Sequence, residues 1–414
     1  MKAWPTTFLP PLEERQAPRL KLFNSLTSQK EDVSEYDVSM YVCGITPYDA
    51  THLGHAATYL SFDLINRYLK FSGQKVHYVQ NITDVDDPLL ERANRDQVEW
   101  QDLANEQISL FRDDMTALRV LPPEHYMGAV ETIPWVIEAI TKMRNRNPLS
   151  VYELDGDLYF NISVDPLFDS YTTLTTEERI RIFAERGGDP DRVGKRNPLD
   201  CLIWRRERKG EPAWPSPFGL GRPGWHIECT AIALNYLHAP ISIQGGGSDL
   251  HFPHHSMCAA EGRVLTNHDF ARRFVHTGMI GLDGEKMSKS KGNLKFVSKM
   301  RQEEGIDPIL IRIALLSGHY RTDRPWSDAL LADTRARTEK WRAAISSPYG
   351  GEVDPLMEQI TECLSDDLNT PGAFAAIDEW AQARIQKMTN DESQEIENIG
   401  RLTRFLDAIL GITF

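Results

Sequence analysis

The sequence predicts an α/β fold: a doubly wound, Rossmann-like parallel sheet with an inserted subdomain and a C-terminal α-helical bundle. Two apolar runs, VSMYVCGI (38–45) and KVHYVQNI (75–82), are typical of buried strands. Between them, from about Ala50, the apolar residues recur with helical period until Ser72-Gly73 stops the pattern. A strand, a helix and a strand in this order form a βαβ unit, which indicates a parallel sheet.

The rest of the chain first interrupts this pattern and then continues it. The polar, helical stretch after residue 90 contains VYELDGDLYFNI (151–162), whose Asp-Gly indicates a hairpin turn. The α/β pattern resumes at PISIQGGGSDL (240–250), and a helix is expected from Pro253. We therefore expect a Rossmann-like catalytic domain in two halves (1–90 and 200–304), a connective insertion (91–199) and a C-terminal helical domain (305–414).

Composition favours a globular protein of the cytoplasm. The chain has 414 residues, of which 41% are hydrophobic and 26% charged. Its five cysteines are too scattered for a disulfide framework and favour a reducing compartment. Neither a signal peptide nor a run of about 18 apolar residues occurs, so no membrane association is expected. The net charge of −14 argues weakly against nucleic acid as a partner.

HLGH (52–55) stands at the expected start of the first helix, where backbone N–H groups and the helix dipole attract phosphate. His52 and His55 could add donors, and Gly54 would let a ligand lie against the backbone. Two histidines near a helix terminus are, however, more often capping or surface residues.

Two further segments could contact a nucleotide. KMSKS (286–290) places Lys286 and Lys289 in a glycine-bounded loop, where lysines could stabilise a leaving pyrophosphate, although such a pentamer is usually a solvated loop. In GGGSD (245–249), the glycines permit close backbone approach and Asp249 could accept ribose hydroxyls, although a glycine run is commonly just a turn. The chain has no G-x-x-x-x-G-K-[ST] segment, which excludes a P-loop.

A metal site is a further candidate. Cys43, Cys229 and His254, and also Cys258 at i+4 from His254, are of the residue types that zinc prefers. No C-x-x-C pair is present, and a lone buried cysteine is usually a small hydrophobic residue. In HFPHH, spacing alone cannot choose between the rings of His254 and His255.

These segments occur in an order that resembles one family. HLGH is similar to the HIGH motif of class I aminoacyl-tRNA synthetases, and KMSKS to their second signature. YVCG-T-YD, TDVDD, GRPGWHIEC, GGGSDL-FPHH, KMSKS-GN and DDLNTP resemble the cysteinyl-tRNA synthetase family over roughly residues 38–380. The chain departs from that family in GITPYDATHLGHAAT, in Cys258 where a glutamate ligand is usual, and in ERGGDP (185–190). It also stops at Phe414, which leaves little room for an anticodon-reading domain.

This combination resembles the offshoot of the family that couples cysteine to the amine of glucosaminyl-inositol. The resemblance implies that L-cysteine and ATP first form cysteinyl-adenylate and pyrophosphate, and that the amine then displaces AMP. It implies ATP with Mg²⁺, one zinc ion per chain, no nucleic acid partner and a monomer. ERGGDP is expected to face the acceptor sugar through Arg186 and Asp189.

The resemblance also assigns roles to single residues. Three zinc ligands are implied, which leave the fourth position to the substrate thiolate and so discriminate against serine: Cys43, Cys229 and His254. Residues around the cysteine moiety are Cys43, Gly44, Ile45, Thr46, Thr58, Asn81, Ile82, Thr83 and Trp225. Residues around ATP are His52, Gly54, His55, Gly247, Ser248, Asp249, Ile280, Lys286 and Lys289. Asp249 is the candidate general base, although a role in ribose binding alone fits it as well.

Two alternatives stay open at this stage. A genuine cysteinyl-tRNA synthetase with a reduced anticodon domain would charge tRNA instead of an aminosugar. A catalytically inert zinc- or cysteine-binding regulatory module would bind cysteine without ATP–pyrophosphate exchange, which intact HLGH and KMSKS segments argue against.

Overall fold

The computed structural model describes residues 1–12, 17–49, 51–282, 293–346, 352–389 and 398–414, and the backbone alone of Glu285 and Lys286. The strands in those ranges are β1 (Lys21–Asn24), β2 (Gln29–Asp32), β3 (Asp37–Val42), β4 (Lys75–Ile82), β5 (His125–Gly128), β6 (Val151–Leu154), β7 (Asp157–Phe160), β8 (Cys201–Arg206), β9 (Gly221–Pro223), β10 (Ile241–Gly247), β11 (Ala271–Thr277), β12 (Ile280–Leu282), β13 (Glu285–Lys286) and β14 (Arg324–Trp326). The helices are α1 (Leu53–Phe71), α2 (Asp87–Asp96), α3 (Trp100–Ala117), α4 (Ile133–Arg146), α5 (Thr176–Glu185), α6 (Trp225–Tyr236), α7 (Ser256–Thr266), α8 (Val297–Gln302), α9 (Pro308–Leu316), α10 (Asp328–Ile345), α11 (Asp354–Ser365), α12 (Thr370–Thr389) and α13 (Ile399–Leu410).

Five parallel strands form the central sheet, in the order β11-β10-β3-β4-β5. This confirms the predicted fold class and the β3–α1–β4 unit. After β3, the chain adds β4 and β5 on one side of the sheet, whereas after β10 it adds β11 on the other side. The direction in which strands are added therefore reverses between the neighbours β3 and β10. Gly245 of β10 lies opposite Val42 of β3 at that switch point. Ligands of open α/β sheets bind in the crevice at the carboxyl ends of such a pair.

Helix α1 begins near the carboxyl end of β3 and runs into the interior of the molecule. It begins after His52 and ends at Ser72, with Gly73 behind it in the left-handed region at φ +81°. Fourteen of its nineteen residues are buried. Because so much of the helix is enclosed, its N-terminus is held firmly against the carboxyl ends of β3 and β10.

A second, antiparallel sheet has the order β6-β7-β8-β9. The predicted hairpin is confirmed: Asp155 and Gly156 turn between β6 and β7 with φ of +53° and +87°, as a two-residue turn of this kind requires. β8 and β9 belong to this sheet although they follow residue 200, and β5 joins the central sheet although it lies within 91–199. The interruption of the central sheet therefore begins after β5, and the exact domain boundaries stay a prediction.

The region after residue 305 is mainly helical, as the sequence predicts, and α9 and α13 pack against α1. A buried ion cluster joins them: Asp63 accepts from Arg67 at 2.7 Å and from Arg312 at 2.5 Å. The two guanidinium groups also donate to carbonyls of Asp407, Ala408 and Leu410 near the end of α13. Buried charges need this degree of hydrogen bonding to offset their desolvation.

Across the described ranges, no helix combines the length and the apolar character that crossing a membrane demands.

Candidate active site

Cys43, Cys229 and His254 come together at the carboxyl end of the central sheet. Cys43 follows β3, and its backbone N–H donates to Gly245 O at 3.0 Å. Cys229 lies on the second turn of α6, and His254 lies in the irregular turn before α7. One ligand atom from each residue falls within 4.8 Å of the others, and all three residues are buried. This is the predicted set of zinc ligands, and the structure brings it together from three separate segments.

The electrostatics of the two thiols fit a bound cation. Burial raises the pKa of Cys43, whereas a hydrogen bond from Cys43 lowers the pKa of Cys229 well below its usual range. Without a cation, the pair therefore shares one proton. Zinc binding requires both cysteines as thiolates and a neutral imidazole. The three residues could together hold a metal ion, and thiolate and imidazole are ligand types that zinc prefers.

The orientation of His254 is fixed by two neighbours from α6. His226 Nδ1 lies 2.9 Å from His254 Nδ1, so one of these two nitrogens donates to the other. Trp225 stacks on the His254 ring at 4.4 Å between centroids. A ring nitrogen held in this way leaves the other nitrogen free to bind a metal. Trp225 thus lies at the predicted cysteine pocket.

Sequence spacing left open whether Cys258 or His255 belongs to the metal site, and the structure places the two residues differently. Cys258 Sγ lies 3.9 Å from His254 Nε2, as expected for i and i+4, yet Cys258 is not among the residues that mutually approach within 4.8 Å. The helix expected from Pro253 begins at Ser256, because Phe252 is extended at φ −134° and ψ 134°. His255 faces Cys43 instead, with its Nε2 3.3 Å from Cys43 Sγ.

Sequence reasoning missed the groups that surround Cys43. Gln244 Nε2 donates to Cys43 Sγ at 3.4 Å, and His255 Nδ1 lies 2.8 Å from His276 Nε2. Gln244 and His276 stand in the buried strands β10 and β11. The signal available in the sequence was a polar side chain next to apolar residues in each strand, since a buried polar group requires a partner.

Gly44, Asn81 and Thr83 form the floor of the predicted cysteine pocket. Asn81 Oδ1 accepts from Gly44 N at 2.8 Å, and Asn81 Nδ2 donates to Thr83 Oγ1 at 3.2 Å. A Cβ on Gly44 would lie 1.6 Å from Asn81 O, so only glycine fits there. Asn81 therefore orders the loop after β3 and orients Thr83. Ile45 and Ile82 are buried beside it, and Thr46 is partly exposed.

The histidines of HLGH stack on each other at the start of α1, with ring centroids 3.6 Å apart. His52 Nδ1 accepts the His55 backbone N–H at 3.3 Å and so caps the helix. Burial lowers the pKa of His52 to about 4 and that of His55 well below its usual range. Both rings are therefore neutral at pH 7 and would meet phosphate oxygens as hydrogen-bond donors. Gly54 lies against the His52 ring, where a Cβ would come within 2.9 Å of Cε1.

The chain after the KMSKS segment pairs with the start of α1. Leu53 N donates to Lys295 O and Val297 N to Thr51 O, each at 3.0 Å. Lys289 lies outside the described residues, as does the side chain of Lys286, whose backbone belongs to β13. The pairing holds residues 295–297, a few residues beyond the KMSKS segment, against the start of α1.

The residues predicted to contact adenosine lie at the end of β10, in the turn that follows it, and in β12. Gly247 and Ser248 lead into a short helical turn with an exposed Asp249, and a Cβ on Gly247 would meet Asp249 Oδ1 at 2.4 Å. Ile280 is buried in β12, where its neighbour Gly281 pairs with Lys286. Thr58 Oγ1 is 2.9 Å from Thr277 Oγ1, which ties α1 to the end of β11.

Arg186 and Asp189, predicted at the acceptor sugar, have protein partners. Arg186 Nη1 donates to Phe252 O at 2.9 Å, two residues before His254. Asp189 accepts from Lys195 Nζ at 3.0 Å and from the hydroxyl of Tyr159. The Arg186 contact therefore ties the insertion to the segment before His254, whereas the partners of Asp189 lie within the insertion. Sugar contact by either residue stays a prediction.

Comparisons with known proteins agree with this geometry. The family model "tRNA synthetases class I (C) catalytic domain" matches residues 29–336. The chain is 53% identical to an L-cysteine:1D-myo-inositol 2-amino-2-deoxy-alpha-D-glucopyranoside ligase of Kribbella flavida over 416 residues, and 50% identical to the ligase of that name from Streptomyces coelicolor over 415 residues. Both alignments cover 100% of either chain.

Among solved structures, Mycobacterium tuberculosis methionyl-tRNA synthetase in complex with methionyl-adenylate superposes with a TM-score of 0.63. The match covers 90% of this chain and 88% of that one at 16% identity, which bears on the fold alone.

Proposed function

We propose that this chain, which belongs to the family of class I (C) tRNA-synthetase catalytic domains, is an ATP-dependent cysteine ligase. It joins the carboxyl group of L-cysteine to the amine of glucosaminyl-inositol, a step of mycothiol biosynthesis. The products are Cys-GlcN-Ins, AMP and pyrophosphate. The observation that carries the proposal is full-length identity of about half to relatives named for this reaction. It is supported by a buried cluster of Cys43, Cys229 and His254, since Cys43 follows β3 and HLGH begins the next helix, α1.

Cysteine recognition is proposed to rest on Cys43, Cys229 and His254, which would hold one zinc ion per chain. Bound zinc supplies a soft Lewis acid that favours a thiolate over a hydroxyl, which is the difference between cysteine and serine. Gln244 and His255 contact the Cys43 sulfur and would hold it in place. Trp225, which stacks on His254, would close one side of the pocket, and Thr83, which is held by Asn81, would hydrogen-bond the backbone of the substrate cysteine.

Adenylate formation is proposed to occur where the start of α1 meets the segment after KMSKS. A carboxylate oxygen of cysteine attacks the α-phosphate, and the α–β bridging oxygen leaves with pyrophosphate. Neutral His52 and His55, together with Lys286 and Lys289, would donate hydrogen bonds to the charge that develops on pyrophosphate. Gly247, Ser248, Asp249 and Ile280 would hold the adenosine, and Mg²⁺ would accompany ATP.

The second half-reaction distinguishes this activity from tRNA charging. The acceptor is a small aminosugar, so no nucleic acid surface is needed, and we propose that the enzyme acts as a monomer. The five cysteines are free thiols, which supports a reducing setting such as the cytoplasm.

Release of AMP tests the proposal directly. With ATP and cysteine, sustained AMP production should require glucosaminyl-inositol and should stop when serine replaces cysteine. Replacing the aminosugar by tRNA should leave only the AMP expected from slow hydrolysis of the adenylate. AMP production driven equally by tRNA would contradict the proposal.

A further inference from the structure

The segment DDLNTP (366–371) contributes nothing to the site described above, yet its second aspartate lies at the centre of a buried hydrogen-bond cluster. Asp367 is fully buried in the turn between α11 and α12. Its backbone and that of Leu368 are left-handed, at φ +60° and +52°. Residues other than glycine keep this conformation where the surrounding structure stabilises it. The turn therefore depends on the contacts that Asp367 makes.

The carboxylate of Asp367 joins two other parts of the chain. Its Oδ1 accepts the backbone N–H of Phe23 in β1 at 2.9 Å and the hydroxyl of Tyr320 at 2.6 Å. Its Oδ2 accepts from Arg321 Nε at 2.6 Å. The backbone N–H of Asp367 donates to Lys21 O at 3.0 Å. One residue of the C-terminal helical region therefore holds both β1 and the residues that precede β14.

Residues 319–324, called here the 319–324 loop, in turn hold the connection between β11 and β12. Gly278 N donates to Tyr320 O at 2.7 Å. Met279 N donates to Asp323 Oδ1, also at 2.7 Å. The main chain that leaves the central sheet after β11 is therefore bound by the same residue, Tyr320, whose hydroxyl is held by Asp367.

The contact continues into β12. Arg324 N donates to Met279 O at 3.0 Å, and Ile280 then pairs with Arg324 as β12 and β14 run parallel. Ile280 is the residue of β12 that is predicted to contact adenosine. A continuous series of hydrogen bonds therefore leads from Asp367, through the 319–324 loop, to the strand at the ATP end of the site.

We propose that Asp367 is a positioning residue for ATP, an inference that rests on the proposed function. By holding the side chain of Tyr320, it fixes the main chain of the 319–324 loop, and that loop sets the position of Ile280 against the adenosine. Asp367 is fully enclosed by protein, so it touches no substrate and acts through these neighbours. The C-terminal helical region thereby contributes to ATP binding.

The cysteine end of the site has a different support. Among the described residues, Asp367 has no hydrogen bond or ion pair with the segments that carry Cys43, Cys229 or His254. Those segments are β3, α6 and the turn before α7. Loss of the Asp367 contacts should therefore affect ATP and leave cysteine binding almost unchanged, which separates positioning from a general distortion of the fold.

Tyr320→Phe and Asp367→Asn test the assignment. The first removes one hydroxyl, and the second keeps an acceptor for Phe23 N but loses the charge that binds Arg321. Binding of ATP without cysteine is measured by calorimetry, and both KM values are measured by pyrophosphate exchange. We expect the Kd and the KM for ATP to rise at least about fivefold in each variant, with the KM for cysteine changed by less than ~twofold. If Asp367→Asn does not fold, Tyr320→Phe decides.

Arg321 allows a rescue experiment, because its side chain is 34% exposed and its loss should leave the protein folded. Arg321→Ala should raise the KM for ATP, and Arg321→Lys, which restores the positive charge, should recover most of the loss. Asp366→Asn is the matched control. It removes the neighbouring carboxylate, which is exposed and bound by Lys30 at 2.7 Å, and should leave both KM values unchanged.

An unchanged KM for ATP in Tyr320→Phe and Arg321→Ala overturns the assignment. An equal rise in the KM for cysteine also overturns it, as does an equal effect of Asp366→Asn. Lower stability with wild-type ATP binding would show that Asp367 supports the fold alone, which contradicts the proposal. A wild-type enzyme that binds ATP but shows no cysteine-dependent exchange would instead refute the proposed function.

Discussion

At the scale of single residues, the sulfur of Cys43 is the best-supported atom in the site. It faces Cys229 and receives the side-chain amide of Gln244, while His255 lies 3.3 Å away. Burial raises the pKa of this thiol well above its usual range, so a bound cation would be needed to keep it as a thiolate near neutral pH. Metal binding at this sulfur can therefore be measured without any enzymatic turnover.

Replacing Cys229 by Ala should remove metal and cysteine affinity together. Removing one of three ligands weakens a zinc site severely, so zinc content should fall from about one per chain to near zero. Zinc content is measured on the purified protein, and cysteine binding by calorimetry. Cys363→Ala is the control, because Cys363 is only partly buried and lies on α11. Metal-free enzyme that still preferred cysteine to serine would contradict the proposed selection by zinc.

His55 makes a separate residue-scale prediction, for the first half-reaction. His55→Ala and Lys289→Ala should each slow cysteine-dependent pyrophosphate exchange by about 100-fold. Cysteine affinity should change far less, because both groups are aimed at charge that develops in the transition state. His77→Ala is the matched control, since His77 lies on β4 beside Glu124 at 3.2 Å and has no part in the site. Normal exchange in both variants would remove these residues from the mechanism.

At the scale of elements, α6 and α7 must be held together, because they deliver Cys229 and His254. A buried acid lies between them: Glu261 of α7 accepts from Thr230 of α6 at 2.8 Å and from Cys201 of β8 at 3.7 Å. Burial raises the pKa of Glu261 to about 8. The contact between the two helices is therefore made by a neutral carboxyl group.

This acid predicts a pH dependence of folding stability. Glu261 has a higher pKa in the folded than in the unfolded protein, so its contribution is fully present below pH 4.5 and is lost as pH rises towards 8. Glu261→Gln keeps a polar partner for Thr230 and removes the titration. Denaturant unfolding between pH 5 and 8 should therefore show a shallower decline for the variant, which should be the more stable of the two at pH 8. Parallel curves for wild type and variant would show that Glu261 is ionised in the fold.

The individual helices and strands also show which parts of the fold can be predicted from the sequence and which cannot. The β3–α1–β4 unit is local, and its apolar period and Ser72-Gly73 stop are visible in a short window. β5 (His125–Gly128) is a four-residue strand without an apolar run, so its place in the central sheet depends on β4, to which it pairs. Likewise β8 and β9 are assigned to the second sheet only by pairing with β7 and with each other.

At the scale of the whole molecule, the same distinction between local pattern and long-range contact explains which site residues could be predicted from the sequence. HLGH, KMSKS and the three candidate metal ligands could be predicted because each sits in a short segment with a family resemblance. Gln244 and His226 were missed, because their importance comes from residues distant in the sequence: Cys43 and His254. Arg186 and Asp189 were assigned to the sugar by resemblance. The structure shows that both also have hydrogen-bond or ion-pair partners within the protein, which the sequence alone could not reveal.

The central claim, that cysteine is joined to an aminosugar, is tested most directly by the mass of the product. Enzyme, ATP and cysteine are supplied with glucosaminyl-inositol and total tRNA in one mixture, and both acceptors are analysed by mass spectrometry. The account predicts an aminosugar whose mass has increased by one cysteinyl residue, linked through nitrogen, with the tRNA unchanged. Cysteine found on the 3′ end of tRNA, with the aminosugar unmodified, would contradict it.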